Sequence, residues 1–300
     1  MTLTIGETLL NTRKVLSRRG ITEAPLEAEL LVGLALGIDK VTLYASLEEA
    51  VTGSGETDLA SLVRRRATRE PLPYLLGSRE FFGMSFHVRP GVFIPRPETE
   101  HLVERAISMA ESRFPNGGAV IADVGTGSGA VTVSLAVHLP GARFYGTDVS
   151  ETSLEVAKDN ARRHGVADRT QFLYGDLLAP LPESVDLIVA NLPYIKSAVI
   201  PTLEPEVSQF EPREALDGGA DGLELVRRLL HQSVGRLQAQ GAILLELDPD
   251  QMDAATEAAR AVYVGSTMTR TKDLAGHERV LVIEVGEGKD TPIKGEPYGT

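Results

Sequence analysis

The first quarter of the chain shows the spacing of apolar residues that is typical of helices and contains no strand pattern. Apolar side chains recur at helical spacing in two stretches, at Ile5, Leu9 and Leu16 and then at Leu26, Leu30 and Leu34. Thr4 and Glu7 have the spacing of a capping box at the start of the first stretch. Two shorter helices are predicted over 40–47 and 59–68. The pattern therefore predicts a small all-helical domain over residues 1–75.

From Ser78 onward the pattern changes to one of strands and turns. The segment Glu80–Val88 is predicted to form a β-hairpin that turns at Gly83. Pro97 then suits the first turn of a helix that runs toward Phe114. We expect residues 76–95 to link the helical domain to the rest of the chain.

Beyond residue 119 short apolar runs alternate with helical patterns. Strands are predicted over 120–124, 143–147, 171–174, 185–190, 242–247 and 280–285, and helices over 131–138, 153–164, 222–237 and 251–261. Such alternation is typical of a Rossmann-like, doubly wound sheet of mostly parallel strands, and thus of the α/β class. We expect this domain to span 96–286 and the polar tail over 287–300 to be disordered.

Composition narrows the class of protein without changing the fold prediction. The chain has 300 residues, a net charge of -12 and no Cys. The acidic balance argues against a broad phosphate-binding surface, and the absence of Cys excludes thiolate metal sites. The run Arg64-Arg65-Arg66 is interpreted as a solvated helix face. Because no signal peptide or membrane span is evident, a cytoplasmic location is expected, with no membrane partner.

A glycine-rich turn between the first predicted strand and its helix is the first candidate for chemistry. The turn reads Asp123-Val124-Gly125-Thr126-Gly127-Ser128-Gly129. Glycines there let the chain turn tightly and let a ligand approach backbone N–H groups at the helix N-terminus. The G-x-G-x-G spacing differs from the pyrophosphate-binding pattern and fits the amino-acid end of S-adenosylmethionine.

Polar residues at the ends of the next strands complete a candidate cofactor site. Asp148 ends the second strand, where a carboxylate can accept hydrogen bonds from both ribose hydroxyls. Asp176, with Leu177 beside it, follows the third strand at the place of an adenine edge. Asn191 follows the fourth. Carboxyl ends of parallel strands meet at one sheet edge, so these residues together predict an S-adenosylmethionine site, with Asp123 and the turn at its base.

Four stretches carry a resemblance to a known family. They are REPLPYLLG at 69–77, IPRPETE at 94–100, DVGTGSG at 123–129 and EPREALDGGADG at 211–222. The chain resembles the release-factor glutamine methyltransferases, the PrmC/HemK family, over nearly its whole length. The glycine turn is common to many methyltransferases, whereas the other three stretches are more specific. The resemblance implies methylation of the glutamine amide in the Gly-Gly-Gln motif of peptide-chain release factors.

The resemblance also implies roles for the residues that follow the fourth strand. Two acceptors would grip the N–H groups of the glutamine amide, namely the side-chain oxygen of Asn191 and the main-chain carbonyl of Leu192. Pro193 and Tyr194 complete this catalytic loop, and Tyr194 would pack against the substrate amide. The resemblance further assigns three residues before the predicted helix to substrate binding, Phe93, Pro95 and Arg96. No metal is expected.

Two positions depart from the family pattern. Leu192 stands where the family motif Asn-Pro-Pro-Tyr has its first proline, and Asp248 stands where a glycine is usual. Since both Leu and Pro have a backbone carbonyl, we expect the loop to function with Leu192. Pro193 restricts Leu192 to an extended conformation, which limits the loss of rigidity.

Three other functions stay open at this stage. The same Asn-Pro-Pro-Tyr type of motif serves DNA methyltransferases that act on exocyclic base amines. A non-catalytic S-adenosylmethionine-binding protein is the second alternative, and a glutamine methyltransferase for a ribosomal protein is the third. The favoured interpretation has release factors as protein partners, held by the helical domain, no direct nucleic-acid binding, and a monomeric enzyme.

Overall fold

The computed structural model describes residues 3–273 and 275–286, which fall into two compact units. The helical unit comprises Met1–Ser78 together with Leu203–Phe210, and the sheet unit comprises Arg79–Thr202 together with Glu211–Thr300. The tail predicted to be disordered, 287–300, lies outside the described residues. The segment Leu203–Phe210 is grouped with the helical unit although it lies within the sequence range of the predicted sheet domain.

The helical unit consists of short helices separated by turns, and some of these helices have side-chain N-caps. Its helices are α1 (Ile5–Arg18), α2 (Ala24–Leu36), α3 (Lys40–Ala45), α4 (Ser54–Ala67), α5 (Leu72–Leu76) and, from the later segment, α9 (Pro205–Ser208). The capping box is present. Thr4 Oγ1 accepts from the backbone N–H of Glu7 at 3.2 Å, and Glu7 Oε2 accepts from the backbone N–H of Thr4 at 2.9 Å. Gly37, with φ of +65°, ends α2.

Leu26, Leu30 and Leu34, whose helical spacing predicts α2 in the sequence, do not form its buried face. These side chains are 45%, 39% and 44% exposed. The helix instead buries Ala24, Ala28, Leu31 and Val32. Because α2 is apolar on both faces, spacing alone did not identify the buried one, and the small Ala side chains allow the closer packing. An exposed leucine ridge remains on α2, consisting of Leu26, Leu30 and Leu34.

The arginine run on α4 is also not a uniformly solvated face. Arg66 is 4% exposed and forms ion pairs with Glu27 at 2.5 Å and with Glu206 at 3.0 Å. Arg65 pairs with Glu70 at 2.5 Å. The solvated interpretation is therefore wrong for Arg66. Its carboxylate partners lie far away in sequence, so the local pattern could not show that the charge is neutralised inside the unit.

The sheet unit begins with the predicted hairpin, whose strands are β1 (Ser78–Phe81) and β2 (Met84–His87). Phe82 and Gly83 both have positive φ, +51° and +69°, as a tight two-residue hairpin turn requires. Phe81 and Phe86 are buried in the hydrophobic core, with their ring centroids 5.9 Å apart.

A seven-stranded sheet in the order β5-β4-β3-β6-β7-β9-β8 forms the centre of this unit. Its strands are β3 (Val120–Val124), β4 (Arg143–Asp148), β5 (Thr170–Tyr174), β6 (Val185–Ala190), β7 (Leu237–Glu246), β8 (Thr267–Lys272) and β9 (Glu278–Glu284). The first five are parallel to one another, and β9 runs antiparallel to both β7 and β8. The predicted mostly parallel, doubly wound α/β sheet is confirmed.

Helices cover both faces of the sheet and create two hydrophobic clusters. They are α6 (Glu100–Arg113), α7 (Ala130–His138), α8 (Glu151–Arg163), α10 (Glu224–Ser233) and α11 (Met252–Val262). The prediction that α10 continues to Leu237 is wrong, because Gly235 at φ of +79° reverses the chain and Leu237 starts β7. The edge strand β8 was missed. Its sequence, Thr-Met-Thr-Arg-Thr-Lys, has too few apolar residues to show a strand pattern.

Candidate active site

The strand order reverses direction between β3 and β6, because the chain leaves β3 toward β4 and later returns on the other side to form β6. In open α/β sheets, ligands bind at the carboxyl ends of the strands at such a switch point. The loops that follow β3, β4, β5, β6 and β7 carry the candidate residues. The sequence-predicted cofactor residues thus lie along one edge of the sheet.

The glycine turn after β3 is held by backbone bonds to the neighbouring strand. The N–H groups of Gly125 and Thr126 both donate to the carbonyl of Thr147 at 2.9 Å. A Cβ on Gly129 would lie 2.9 Å from the Cβ of Ala157 on α8, and Gly129 has φ of +78°. The turn therefore needs glycine at this position both for its conformation and for its close approach to α8.

The buried side chain of Asp123 holds the glycine turn through hydrogen bonds. Its Oδ2 accepts hydrogen bonds from the hydroxyls of Thr126 and Thr132, each at 2.7 Å, and from Thr132 N at 3.2 Å. Burial raises the pKa of Asp123 to about 6, although these hydrogen bonds lower it. Thr126 and Ser128 are buried as well. The structure thus gives Asp123 a role in shaping the turn, in addition to the predicted contact with the cofactor.

Asp148 lies at the end of β4 and holds two backbone groups. Oδ2 accepts from Gly127 N and Oδ1 accepts from Ser150 N, both at 2.9 Å. Burial raises the pKa of Asp148, and the backbone hydrogen bonds oppose that shift. Two predicted cofactor residues, Gly127 and Asp148, are therefore in direct contact. The carboxylate is half-buried, and each of its oxygens retains capacity for a further donor.

Asp176 has partners that the sequence did not reveal. Its Oδ1 accepts from Arg228 at 2.6 Å and its Oδ2 accepts from Gln232 at 2.8 Å, both on α10. Leu177 beside it is buried and has φ of +47°. The backbone remains close to the ribose candidate, because Gly175 N donates to the carbonyl of Asp148 at 3.0 Å.

Asn191, at the end of β6, is fixed by a residue from the segment before α6. Its Nδ2 donates to Oγ1 of Thr99 at 2.9 Å, which leaves Oδ1 as the acceptor of the amide. Glu246 at the end of β7 also lies beside Asn191; burial raises the pKa of this acid, and the Asn191 side chain opposes that shift. Neither Thr99 nor Glu246 was assigned a role from the sequence, although Thr99 lies within the 94–100 stretch, because both are distant from Asn191 along the chain.

Leu192 contributes a side chain as well as a carbonyl. The side chain is 4% exposed and belongs to the second hydrophobic cluster. Its Cδ2 lies 3.2 Å from the position that a Cβ on Gly125 would take. Only the carbonyl of Leu192 has a role predicted from the sequence, whereas in the structure the side chain also packs against the glycine turn. The two halves of the predicted site therefore touch.

A second glycine-rich loop supports the backbone of Pro193 and Tyr194. A Cβ on Gly218 would lie 2.6 Å from the carbonyl oxygen of Pro193, and a Cβ on Gly222 would collide with the carbonyl oxygen of Tyr194. Nε2 of the buried Gln251 donates to that same Tyr194 oxygen at 2.8 Å. Burial raises the pKa of Tyr194 to about 12. This packing gives a physical reason for the glycines of the 211–222 stretch.

The predicted substrate residues before α6 form a separate cluster with Glu211. The guanidinium of Arg96 lies 4.8 Å from the ring centroid of Phe93 and forms an ion pair with Glu211. Oε2 of Glu211 accepts from Ile94 N at 3.1 Å. Pro95 is buried. Arg96 lies near enough to the catalytic loop for its positive charge to lower the pKa of Tyr194.

Asn160 on α8 is a further residue that the sequence analysis missed. Its Oδ1 accepts from His87 N at 2.8 Å, and its Nδ2 donates to the carbonyls of His87 and Ser128 at 3.0 and 2.9 Å. The side chain is completely buried. Asn160 thereby ties the end of the hairpin to the glycine turn.

Within residues 3–273 and 275–286, two absences bear on the class of site. No group of three or more His, Asp or Glu side chains there is arranged to hold a metal ion. Nor does any helix in these ranges combine the length and apolar character that a bilayer crossing requires.

Solved structures show the fold, and a domain family shows the class of protein. The chain is similar to a methyltransferase from Pyrococcus furiosus, with a TM-score of 0.50 and 19% identity, over 68% of this chain and 90% of that chain. It is also similar to the hMettl16 catalytic domain bound to MAT2A 3′UTR hairpin 1, with a TM-score of 0.54 and 19% identity, over 80% and 85%. Residues 115–275 match a methyltransferase domain family. The fold and the domain match identify the chain as an S-adenosylmethionine-dependent methyltransferase of class I.

Closer relatives identify the family within that class. Residues 7–77 match the PrmC N-terminal domain. The release factor glutamine methyltransferase of Moorella thermoacetica is 41% identical over 281 residues, which cover 93% of this chain and 98% of the relative. That of Geobacter sulfurreducens is 41% identical over 251 residues, 83% and 86% of the two chains. The chain belongs to the release factor glutamine methyltransferase family.

Proposed function

We propose that the protein transfers the methyl group of S-adenosylmethionine to the side-chain amide nitrogen of the glutamine in the Gly-Gly-Gln motif of peptide-chain release factors. The observation that carries the proposal is the geometry of Asn191 in a chain of this family. Its Nδ2 is bonded to Thr99, so Oδ1 is the atom that can accept a hydrogen bond from a substrate amide. The reaction would take place in the cytoplasm, where release factors act.

The residues at the sheet edge fit the proposed cofactor. A Cβ on Gly127 would meet no atom within 4 Å, so there is open space above the glycine turn for the amino-acid end of S-adenosylmethionine. Asp148 already binds two N–H groups, and its remaining lone pairs suit the two ribose hydroxyls. Val149, which follows it, is 56% exposed and offers an apolar surface for adenine. Asp176 and Leu177 would flank the adenine on the other side.

The chemical difficulty of the reaction lies in the substrate. An amide nitrogen is a poor nucleophile because its lone pair is delocalised into the carbonyl. Bound S-adenosylmethionine supplies a methyl group on a positively charged sulfur, which is an activated leaving group. Oδ1 of Asn191 and the carbonyl of Leu192 would each accept one N–H of the amide and so aim the nitrogen at the methyl carbon. As the N–C bond forms, the methyl–sulfur bond would break with its electron pair going to sulfur, and the amide nitrogen would release one proton to water.

The loop that carries these acceptors is preorganised by its surroundings. Pro193 and Tyr194 lie against Gly218 and Gly222, and Gln251 binds the Tyr194 carbonyl. The Tyr194 hydroxyl stays neutral at physiological pH because its pKa is about 12. The ring can therefore pack against a neutral amide without introducing a charge. Phe93, Pro95 and Arg96 would line the path of the peptide that carries the glutamine.

The helical unit would bind the body of the release factor. Its exposed leucine ridge on α2, Leu26, Leu30 and Leu34, is an apolar surface of the kind that protein partners cover. Binding energy from contacts remote from the glutamine can be used to position a weak nucleophile. The ridge is thus a candidate contact for the substrate protein.

A substrate panel tests the proposed function. Purified protein is incubated with tritiated S-adenosylmethionine and with a release factor, a ribosomal protein preparation, DNA or no substrate. We expect tritium in the release factor alone. Labelled DNA or labelled ribosomal protein in place of release factor would identify one of the alternative reactions. Cofactor binding without transfer to any of these substrates would identify a non-catalytic protein.

A further inference from the structure

Glu246 is a buried acid at the active site to which the proposed reaction assigns no role. It ends β7, and the register that pairs Leu245 with Ala190 brings it next to Asn191 at the end of β6. The residue is 3% exposed. Its Oε2 is buried and has no hydrogen-bond partner among the described residues. Such a group is costly to bury, so a specific use is expected.

The uncharged neighbours of Glu246 are the residues that fix the catalytic amide. Thr99 and Asn191 are the uncharged polar side chains beside the carboxylate, and both lower its pKa. The hydroxyl of Thr99 also accepts the bond from Nδ2 of Asn191 at 2.9 Å. A Thr hydroxyl can accept one hydrogen bond while it donates another. The three side chains therefore form one polar cluster.

The titratable neighbours of Glu246 come from three other elements. The carboxylate of Glu98, on the turn before α6, raises the pKa of Glu246, and the guanidinium of Arg279 on β9 lowers it. From the catalytic loop, Tyr194 faces the same carboxylate, whose charge contributes to the raised pKa of the phenol. Burial is the largest effect and raises the pKa of Glu246 to about 7.

The orientation of an Asn amide is decided by hydrogen bonds, because its two orientations have nearly the same shape. An ionised carboxylate can only accept hydrogen bonds. It therefore favours the orientation that turns Nδ2 of Asn191 toward Glu246 and Thr99, and leaves Oδ1 for the substrate. A protonated Glu246 could donate to Oδ1 and stabilise the reverse orientation, in which the acceptor is withdrawn.

We propose that ionised Glu246 is a positioning residue that holds Asn191 with Oδ1 toward the substrate amide. This inference rests on the proposed function, since it concerns the acceptor that Asn191 provides for that reaction. This role accounts both for the burial of Glu246 and for its position beside Asn191. It also predicts that methyl transfer depends on the ionisation of a group that never touches the substrate.

The direction of the pH effect follows from the chemistry. Methyl transfer should increase as the pH rises through about 7, where Glu246 loses its proton. Removal of the negative charge of Glu98 should favour ionisation and move this midpoint down, by roughly 0.3 pH unit for an exposed, screened charge. Replacement of Arg279 should move it up.

The test is the single-turnover rate of release factor methylation between pH 6 and 9 with Glu246→Gln, which keeps the shape but can donate to Oδ1. We expect a rate roughly tenfold or more below wild type at pH 8, without the wild-type dependence on pH. Calorimetry should show unchanged binding of S-adenosylmethionine, and the KM for release factor should stay within about twofold. The matched controls are Glu98→Gln and Arg279→Gln. For both we expect the same maximal rate of methyl transfer as wild type, with the midpoint of its pH dependence shifted.

The wild-type rate separates this inference from the proposed function. If wild type does not methylate release factor, the proposed function fails. If wild type is active and Glu246→Gln matches its rate and pH profile, the inference on Glu246 is wrong. A slower Glu246→Gln variant that keeps the wild-type pH profile would also overturn it, because another group would then be titrating.

Discussion

Leu192 has two contributions that substitution can separate, a backbone carbonyl proposed to grip the substrate and a side chain that packs in the core. The side chain is 4% exposed and lies against the glycine turn. Leu192→Ala removes most of the side chain and keeps the carbonyl. Leu192→Pro keeps the carbonyl, retains most of the apolar volume and restricts φ. Comparison of the two variants measures each contribution.

The expected losses in the free energy of unfolding follow from burial. Leu192→Ala deletes three buried carbon groups at about 0.8 kcal/mol each, and with a cavity term the loss is about 3 kcal/mol. Leu192→Pro deletes one such group, and the stiffer unfolded chain offsets part of the loss, so we expect about 1 kcal/mol or less. The rate of methyl transfer should be equal to wild type or higher for Leu192→Pro, because the loop is more rigid before binding.

Urea denaturation measures the first quantity, and single-turnover methylation of release factor at a temperature where each variant is folded measures the second. For Leu192→Ala we expect the transfer rate to stay within about threefold of wild type once folding is assured. A folded Leu192→Ala that has lost transfer would refute the assignment of the carbonyl, because the side chain would then be required. A Leu192→Pro variant that loses about 3 kcal/mol would refute the burial argument.

Four further outcomes are expected. Asp148→Ala should weaken S-adenosylmethionine binding about tenfold or more by calorimetry, because two ribose hydroxyls lose their acceptor; unchanged affinity in a folded variant would remove Asp148 from the site. Burial raises the pKa of Glu246 from 4.5 to about 7. The contribution of this group to the free energy of unfolding, at most about 3 kcal/mol, is therefore fully present below pH 4.5 and is lost as the pH rises through 7. Glu246→Gln should flatten that part of the stability profile, and an identical profile would contradict it. Gly222→Ala should slow methyl transfer while the matched control Gly118→Ala, also at positive φ but facing open space, should not; equal rates for both would show that close packing on Tyr194 is unimportant. Leu30→Glu on the leucine ridge should raise the KM for release factor without changing cofactor binding, whereas Val264→Glu, an exposed site in the sheet unit, should change neither; an unaltered KM would exclude the ridge.

Features encoded by local sequence were predictable. The glycine turn requires three glycines within five residues, and the structure shows positive φ at each of Gly125, Gly127 and Gly129. The alternation of strands and helices likewise predicts the sheet, because parallel strands need crossover helices. Strand β8 was not predicted, because this edge strand has a mostly polar sequence without alternating apolar residues. The exposure of the leucine ridge on α2 was not predicted, because the sequence of a helix with apolar residues on several sides does not show which side is buried.

Features that depend on distant pairs of residues were not predictable from one sequence. The bond from Asn191 to Thr99 joins residues 92 positions apart, and Asn160 reaches His87 across 73. Glu246 meets Asn191 only because β6 and β7 are neighbours in the sheet. Thr99, Asn160 and Glu246 had no role assigned from the sequence, and only the fold shows that each of them supports the site.

The most direct test of the central claim is to locate the methyl group and to ask whether it depends on Asn191. Release factor is incubated with S-adenosylmethionine and either wild type or Asn191→Ala, and the peptide that contains Gly-Gly-Gln is fragmented in a mass spectrometer. We expect wild type to add one methyl group to the glutamine side-chain amide, and Asn191→Ala to do so roughly 100-fold more slowly in a single turnover. A methyl group on another residue, or near-normal transfer by folded Asn191→Ala, would contradict the account.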